Sequence, residues 1–597
     1  MFLKTTAKET IMKRTHYVKD CFELVNGSEV TLGVWVHRVR DLGKLRFFEL
    51  RDISGLIQGI IEDADLIEKT RSIRSEFVLF VKGCVQDKAT NAANDIAQKE
   101  LLITDIELIN ESKTPVFSIN NTEQVIDEVL GLEYRYLQLR KPELVQKLKA
   151  RHQISSAIRA ALNQQGFMDL ETPILSKSTP EGARDFIVPS RMHKGSCYAL
   201  PQSPQLFKQL FMISGLDRYF QITKCFRDED LRADRQPEFT QVDVEASFVD
   251  EDDMLVLAKD LMGVACQSVG IPFDKDSWES ISYTDAINFY GTDAPDTRFD
   301  CRFVALNDCF KESHFEAFST IVASNGCIKG FCIPGGASYF SRKRADDLLE
   351  SVRYLGIKGL SWIHINSKDE IRSPLQKNLT ALEWDHLLAQ FKYQDGDSIL
   401  IIAHESKAIL HKALHECRMS VARQLGLIPQ NTFNFVWVHS FLLFEQGDDG
   451  KPTPLHHPFT SATPETQGLI DTDPLAMIAR AYDIVLNGTE VGGGSIRIHD
   501  PEFQKRVFEC IGLTQDDIEQ KFGFFVRALA YGAPPHGGFA LGLDRLAMLL
   551  TGSSSIRDVI PFPKTSSMQC PLTEAPSLIH HTQYDECGIR LADQKEI

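Results

Sequence analysis

The sequence predicts an α+β multidomain protein: an N-terminal β-barrel, then a domain built on an antiparallel sheet and interrupted by an inserted α+β domain. Three observations predict it. Residues 15–120 hold five short runs in which apolar and polar residues alternate, the period of a half-buried strand. Phe226–Thr240 reads FRDEDLRADRQPEFT, a charged hairpin between the apolar positions Ile222 and Phe226 on one side and Val242 and Val244 on the other. Tyr482–His499 reads YDIVLNGTEVGGGSIRIH, a second hairpin whose Asn487-Gly488 pair is a strong signal for a two-residue turn.

The chain has 597 residues, 43% hydrophobic and 25% charged, which is ordinary for a globular protein of roughly three or four domains. No apolar run reaches the length of a membrane helix, and the N-terminus lacks the apolar core of a secretory signal. The thirteen cysteines form no C-x-x-C pair, so neither a zinc ribbon nor a disulfide framework is expected. Cys327 and Cys332 read as buried filler. These features predict a reduced, cytoplasmic protein with no membrane partner. The net charge of −17 argues against general stickiness toward nucleic acid but leaves room for local basic surfaces.

The barrel strands are Gly33–Arg40, Leu45–Asp52, Leu56–Ile61, Phe77–Gly83 and Leu101–Ile109, with Asp41–Lys44 as a turn. Five such strands suit a small closed barrel of the oligonucleotide-binding type. Arg38, Arg40, Lys44, Arg46 and Arg51 outnumber Asp41 and Glu49 there, with Phe47 among them: cations to track a backbone and a ring to stack a base. A linker follows around Pro115–Leu139. Helical spacing then runs over Pro142–Gln165 (Leu144, Leu148, Ile154, Ile158, Leu162), Gly166 ends it, and Phe167–Leu175 turns into a strand. The expected domains are 1–120 (barrel), 121–141 (hinge), 142–284 and 421–565 (one catalytic domain in two parts), 285–420 (the insertion) and 566–597 (an extended C-terminal arm).

In the first hairpin Arg227 can grip a phosphate with its planar fork, Asp228 and Glu229 can act through a metal or an amine, and Phe239 can stack on a base. In the second, the turn sets Leu486 opposite Thr489 and Val485 opposite Glu490. Asp483 shares the face of Val485, so Asp483 and Glu490 become diagonal neighbours. Two carboxylates there call for a cation, and Mg²⁺ bridging phosphate oxygens fits. Gly492–Gly494 would let a substrate approach the backbone, and Arg497 suits a carboxylate. Gly538–Leu543 is a glycine-spaced strand feeding a helix near Asp544, whose start favours anions. Arg545 could cover an adenine face. Ser176–Arg184 could move as a lid, Gln202–Lys208 supplies small polar groups and a lysine, and His456 and His457 could add pH-sensitive contacts.

Together these segments resemble the three signature motifs of class II aminoacyl-tRNA synthetases: the helix and strand ending in Pro173, FRDE with RQPEFT, and GFALGLDR. QSPQLFK, the whole first hairpin, HHPFT and GGGSIRIH narrow the likeness to the bacterial-type aspartyl-tRNA synthetases. The resemblance covers nearly the whole chain. It implies an antiparallel-sheet catalytic domain, ATP as substrate with Mg²⁺, L-aspartate, a homodimer, and tRNA-Asp, with tRNA-Asn as an open second acceptor. It implies that Arg227 holds the α-phosphate and the substrate carboxylate. Asp228, Glu229, Gln236, Phe239, Glu490 and the stretch Gly542, Leu543, Asp544, Arg545 would hold ATP. Arg227, Glu490 and Arg545 would be catalytic, and Asp483 and Glu490 would carry the metal. Lys208 and Arg497 would read the aspartate side chain, Glu181, Ser203, Gln205 and Asp243 its ammonium, and His456 would close over it. Arg40, Leu42, Phe47 and Gln58 match anticodon positions; Leu42 stands where some members that charge both tRNAs have histidine. The large insertion and HHPFT weigh against asparaginyl- or lysyl-type enzymes. The presence of Arg227, Glu490 and Arg545 weighs against a paralogue without catalysis. The barrel weighs against an amide-forming enzyme that dispenses with tRNA.

Overall fold

The computed structural model describes residues 12–88, 99–121, 124–179, 183–230, 234–447 and 449–590. The chain folds as two compact units. One takes residues up to Leu148 with Pro561–Thr565 and Gln569–Pro576; the other takes Lys149–Ile560, Ser566–Met568 and the chain from Ser577.

The first unit is the expected barrel. Its strands are β1 (Glu29–Asp41), β2 (Arg46–Asp52), β3 (Gly55–Ile61), β4 (Val78–Asp87) and β5 (Lys99–Asn110), closed in the order β1-β2-β3-β5-β4. Alternation drives closure: Val30, Leu32, Val34 and Val36 of β1 all point into one apolar core with Phe48 and Leu50 of β2. The expected linker is partly helical, with short helices at Glu128–Glu133 and Arg135–Gln138. Asp127 caps the first by accepting from the Leu130 amide.

The second unit is built on an eight-stranded sheet. Its strands are β6 (Met168–Asp169), β7 (Arg218–Phe226), β8 (Glu238–Ser247), β9 (Glu279–Ser282), β10 (Phe435–His439), β11 (Ala481–Leu486), β12 (Thr489–Ile496) and β13 (His536–Gly542). The order is β9-β10-β11-β12-β13-β8-β7-β6, antiparallel except for the two edge pairings β9–β10 and β6–β7. The strand expected over Phe167–Leu175 pairs only at Met168 and Asp169, because Pro173 has no amide to donate to a ladder. Helices α1 (Pro142–Gln164), α2 (Gln205–Ile213) and α3 (Glu251–Ser268) precede or follow the first hairpin. One sheet face is covered by Ile154, Ile158 and Leu162 of α1 and Leu257, Leu261 and Ala265 of α3, packed on Val242 and Val244. Each such side chain is worth roughly 1.5–3 kcal/mol when fully buried. Since strand neighbours alternate in direction, Gln241, Asp243 and Glu245 are turned to the opposite face.

The insertion has its own five-stranded antiparallel sheet, ordered Val304–Ala305, Cys327–Ile333, Ser398–His404, Ser361–Ser367, Glu370–Arg372. Helix α4 (Lys407–Leu425) closes it, burying Leu410, Leu414, Cys417 and Val421 against Phe331, Ile333, Leu400 and Ile402. Cys327 is buried, Cys332 half-buried, and both thiols are free. After Pro563 the expected extended arm carries a short helix, His581–Cys587. Among the described residues, no helix is long and apolar enough to cross a membrane.

Candidate functional site

A cavity of about 490 Å³ opens on the sheet face that α1 and α3 leave free, and both predicted hairpins line it. The second hairpin forms as its turn chemistry demands. Asn487 and Gly488 both sit at positive φ (53° and 79°), and Leu486 pairs with Thr489 and Val485 with Glu490. A bulge then shifts the register between Ile484 and Val485, setting Asp483 opposite Gly493.

The floor is a buried charge cluster. Lys208, reaching from α2, lies 2.8 Å from Asp243 and 3.3 Å from Glu245. Arg497 clasps Glu245 through two nitrogens at 2.8 and 3.0 Å, and donates to Ser495 Oγ at 2.7 Å. All four charges are essentially inaccessible to solvent. Burial alone would push the Glu245 carboxyl up; the Arg497 guanidinium and the Lys208 ammonium outweigh it and hold it down at about 2. For Asp243 burial wins, and its carboxyl is raised in spite of Lys208. His457 lies 2.7 Å from Arg497, and burial with that guanidinium pushes it well below the ordinary 6.5, so the ring is neutral.

At the other end Asp483 and Glu490 crowd each other. The Asp483 charge, then burial, raises the Glu490 carboxyl to about 7. His456 stands 3.4 Å from Asp483, with its ring edge-on to Phe441. Burial disfavours its protonation, but the carboxylates of Asp483 and Glu490 overcome this and raise it. Among the described residues no set of three His, Cys, Asp or Glu side chains gathers as a metal cage. A repelling carboxylate pair of this kind could hold a magnesium ion that keeps most of its waters.

The middle carries Arg227, whose guanidinium lies over the Phe239 ring at 5.2 Å. Arg545 donates to the Glu490 carbonyl at 2.6 Å and pairs with Asp234 at 3.2 Å; Arg235 pairs with Glu229 at 3.1 Å. Both acids therefore hold cations that an incoming polyanion would claim. The Asp234 and Arg545 side chains are 40% and 23% exposed, so solvent limits their pair to about 1 kcal/mol. With ATP as the polyanion that the motif resemblance implies, Asp234→Asn is expected to lower the KM for ATP by up to about fivefold with kcat unchanged. An unchanged or raised KM would show that Asp234 does not compete for Arg545.

Of the predicted residues, Ser203, Gln205, Lys208, Arg227, Glu229, Gln236, Phe239, Asp243, His456, Asp483, Glu490, Arg497, Gly542, Asp544 and Arg545 all line this cavity. Glu181 lies outside the described residues. Three of the predicted residues are placed differently from the rest. Asp228 does not line the cavity; its amide bonds the Arg184 carbonyl in an isolated bridge. Leu543 turns into the core because the helix α5 (Leu543–Leu550) starts there with its apolar face on the sheet. Asp544 is buried and already committed, accepting from the Thr240 amide at 2.7 Å and from Arg151. Gly492, Gly493 and Gly494 also line the cavity, and a side chain at any of them would meet the protein itself. A Cβ on Gly492 would lie 2.6 Å from the Ala540 carbonyl, one on Gly493 would strike the Asp483 carboxylate, and one on Gly494 the Gly538 carbonyl. Sequence reasoning missed Glu245, although the alternation VDVE at Val242–Glu245 places it on the face of Asp243. It also missed Asp234, Arg235 and Asp293, which also line the cavity.

On the barrel, Arg40 pairs with Phe47 across β1–β2 and Glu49 with Gln58 across β2–β3, so one outer face carries these residues. Arg40 lies 3.3 Å from Glu49, Gln58 donates to Glu100 at 2.9 Å, and Leu42 is 71% exposed in the turn. Two of the five cations expected on the surface are instead buried. Arg46 falls on the inner phase of β2, over Phe48, and Arg51 is taken by Glu76 at 2.7 Å.

Residues 127–566 match the class II tRNA synthetases (D, K and N), and residues 30–109 match the OB-fold nucleic-acid-binding domain of the anticodon type. The chain belongs to the class II tRNA synthetases of the D, K and N group. An aspartate–tRNA(Asp/Asn) ligase from Desulfatibacillum aliphaticivorans is 46% identical over 595 residues, spanning 97% of this chain and 98% of the relative. An aspartate–tRNA ligase from Staphylococcus saprophyticus is 44% identical over 587 residues, spanning 97% and 99%. Among solved structures, an asparaginyl-tRNA synthetase from Pyrococcus horikoshii complexed with asparaginyl-adenylate shares the fold, with a TM-score of 0.57 at 19% identity over 93% of this chain and 99% of that one.

Proposed function

We propose that the protein is an aspartate–tRNA ligase: it activates L-aspartate with ATP and transfers it to the 3′ end of tRNA-Asp. One observation carries the reading. Four buried polar atoms around the cavity have no partner among the described residues: Gln205 Nε2, Arg227 Nε, Asp243 Oδ2 and His456 Nδ1. Buried polar groups are nearly always satisfied, so their convergence marks a ligand that supplies both donors and acceptors. An amino-acid zwitterion joined to a phosphate does this.

In this reading Asp243, with Ser203 and Gln205, receives the substrate ammonium, and Lys208 and Arg497 receive the side-chain carboxylate. Arg227 aligns the α-carboxylate with the α-phosphate, and Phe239 and Arg545 enclose adenine. A carboxylate oxygen of aspartate attacks the α-phosphorus, the bond to pyrophosphate breaks, and an aspartyl-adenylate forms. The hydroxyl of the terminal adenosine then attacks the acyl carbon and AMP leaves. Positioning and charge neutralisation carry both steps, and no side chain serves as a covalent nucleophile. Asp483 and Glu490 would hold Mg²⁺, which would offset phosphate charge as pyrophosphate departs. In this reading the protein works in the cytoplasm as a homodimer.

Asparagine would leave the two floor cations facing an amide dipole, at a cost of roughly a few kcal/mol. The expected result is ATP–pyrophosphate exchange that depends on aspartate and is at least about a hundredfold weaker with asparagine; no exchange with aspartate would refute the reading. The name of the Desulfatibacillum relative makes tRNA-Asn a second acceptor to test. Charging purified tRNA-Asp and tRNA-Asn side by side separates the two forms, and Leu42→His is the substitution expected to raise the tRNA-Asn share.

A further inference from the structure

The insertion reaches the phosphate end of the cavity through one fully buried arginine. Arg418, on α4, donates to three main-chain oxygens: Asp296 and Phe299 at 2.9 Å each and Cys301 at 3.1 Å. Its guanidinium also lies over the Phe299 ring at 3.9 Å and the Tyr290 ring at 5.0 Å. Among the described residues it has no carboxylate in ion-pair range. A charge buried in this way costs stability that an apolar side chain would not. What it secures is geometry, since one planar fork fixes three points of the segment 296–301.

That segment touches the catalytic hairpin. Arg298 clamps the Asp296 carboxylate through two nitrogens at 2.9 and 2.6 Å. Gly488 packs so close to Asp296 that a Cβ there would lie 2.9 Å from Asp296 Cβ. From the other side Asn487 is tied down by the Asn434 amide at 2.9 Å and the Thr432 carbonyl at 2.8 Å. The turn is thus held between two walls, one of which the insertion supplies. Glu490 follows two residues after the turn, and Asp483 lies on the strand before it. Asp293, three residues before Asp296, lines the cavity with both.

We propose that Arg418 is a positioning residue for the ATP end of the site: by fixing residues 296–301 it fixes the Asn487–Gly488 turn, and through it Asp483 and Glu490. This rests on the reading that the cavity takes ATP beside that hairpin. The aspartate end hangs on α2, β8 and Arg497, so it should not feel the brace.

The test uses the full-length protein with Arg418→Met and Arg418→Lys. It combines ATP–pyrophosphate exchange with calorimetric binding of a non-hydrolysable ATP analogue and Mg²⁺. Arg418→Met is expected to raise the KM for ATP and the analogue Kd about tenfold while the KM for aspartate stays within about twofold; Arg418→Lys should fall between. Gly488→Ala strains the turn directly, through its positive φ and a methyl against Asp296, and should give the same ATP-selective pattern, whereas Arg418→Lys decides the matter if Arg418→Met does not fold. Parallel changes for both substrates, or an ATP KM within twofold of wild type in the folded variants, would overturn the proposal. Absence of aspartate-dependent exchange in the wild type would instead refute the functional reading, with analogue binding still measurable.

Discussion

Arg227→Ala is expected to cut aspartate-dependent ATP–pyrophosphate exchange by at least about 10²–10³-fold. Arg227 lines the cavity against Phe239, and its Nε, buried at the cavity wall, has no partner among the described residues. The substitution also removes the guanidinium over Phe239, so the ring proposed to stack on adenine loses its own support. Arg227→Lys keeps the charge but not the fork, and should recover only part of the rate. tRNA affinity should change by no more than about threefold in a filter-binding assay, because it is a sum over many phosphate contacts. Exchange within tenfold of wild type would remove Arg227 from the role of phosphate clamp.

The second large effect concerns stability. Glu245 is the carboxylate shared by Lys208 and Arg497. Glu245→Gln preserves shape but leaves two buried cations with Asp243 as their only anion among the described residues, and removing one member of such a cluster costs about 3–5 kcal/mol. The pH dependence has a definite sign. A carboxyl ordinarily near 4.5 and held at about 2 in the folded state stabilises fully above the ordinary value. That contribution disappears as pH falls through the folded value. Urea unfolding should therefore show a constant gap between wild type and Glu245→Gln from about pH 5 to 8, closing as the pH drops toward about 2. A gap that stays flat below pH 5, or one under about 1 kcal/mol, would mean that Glu245 is not the compensating charge.

Much of this was legible in the residues. Alternation alone located all five barrel strands, because each has one face in the core and the other in solvent. The Asn487-Gly488 pair gave the hairpin and the Val485–Glu490 pairing correctly, since the turn type admits little else. Local pattern is silent on which strands become neighbours. Glu245 and Arg497 are 252 residues apart and meet only because β13 lies between β12 and β8. The same silence explains Arg46 and Arg51: a basic residue on a barrel strand reads as surface until Phe48, Glu76 and the barrel's curvature enclose it. The motif also gives no sign that the helix beginning there turns the Leu543 side chain into the core and ties Asp544 to Thr240 and Arg151.

The crowding around Gly492–Gly494 limits how this site can be changed. At Gly492 and Gly494 backbone packs against backbone, so rotating a neighbour makes no room for a larger residue, and at Gly493 the obstacle is the Asp483 carboxylate, which the site itself uses. Redesign toward another amino acid cannot begin from that strand. It is confined to the side chains of α2 and β8 and to His456, where Lys208, Asp243 and Glu245 must be exchanged as a charge-balanced set. A single substitution among them alters the fold's electrostatics before it alters the substrate.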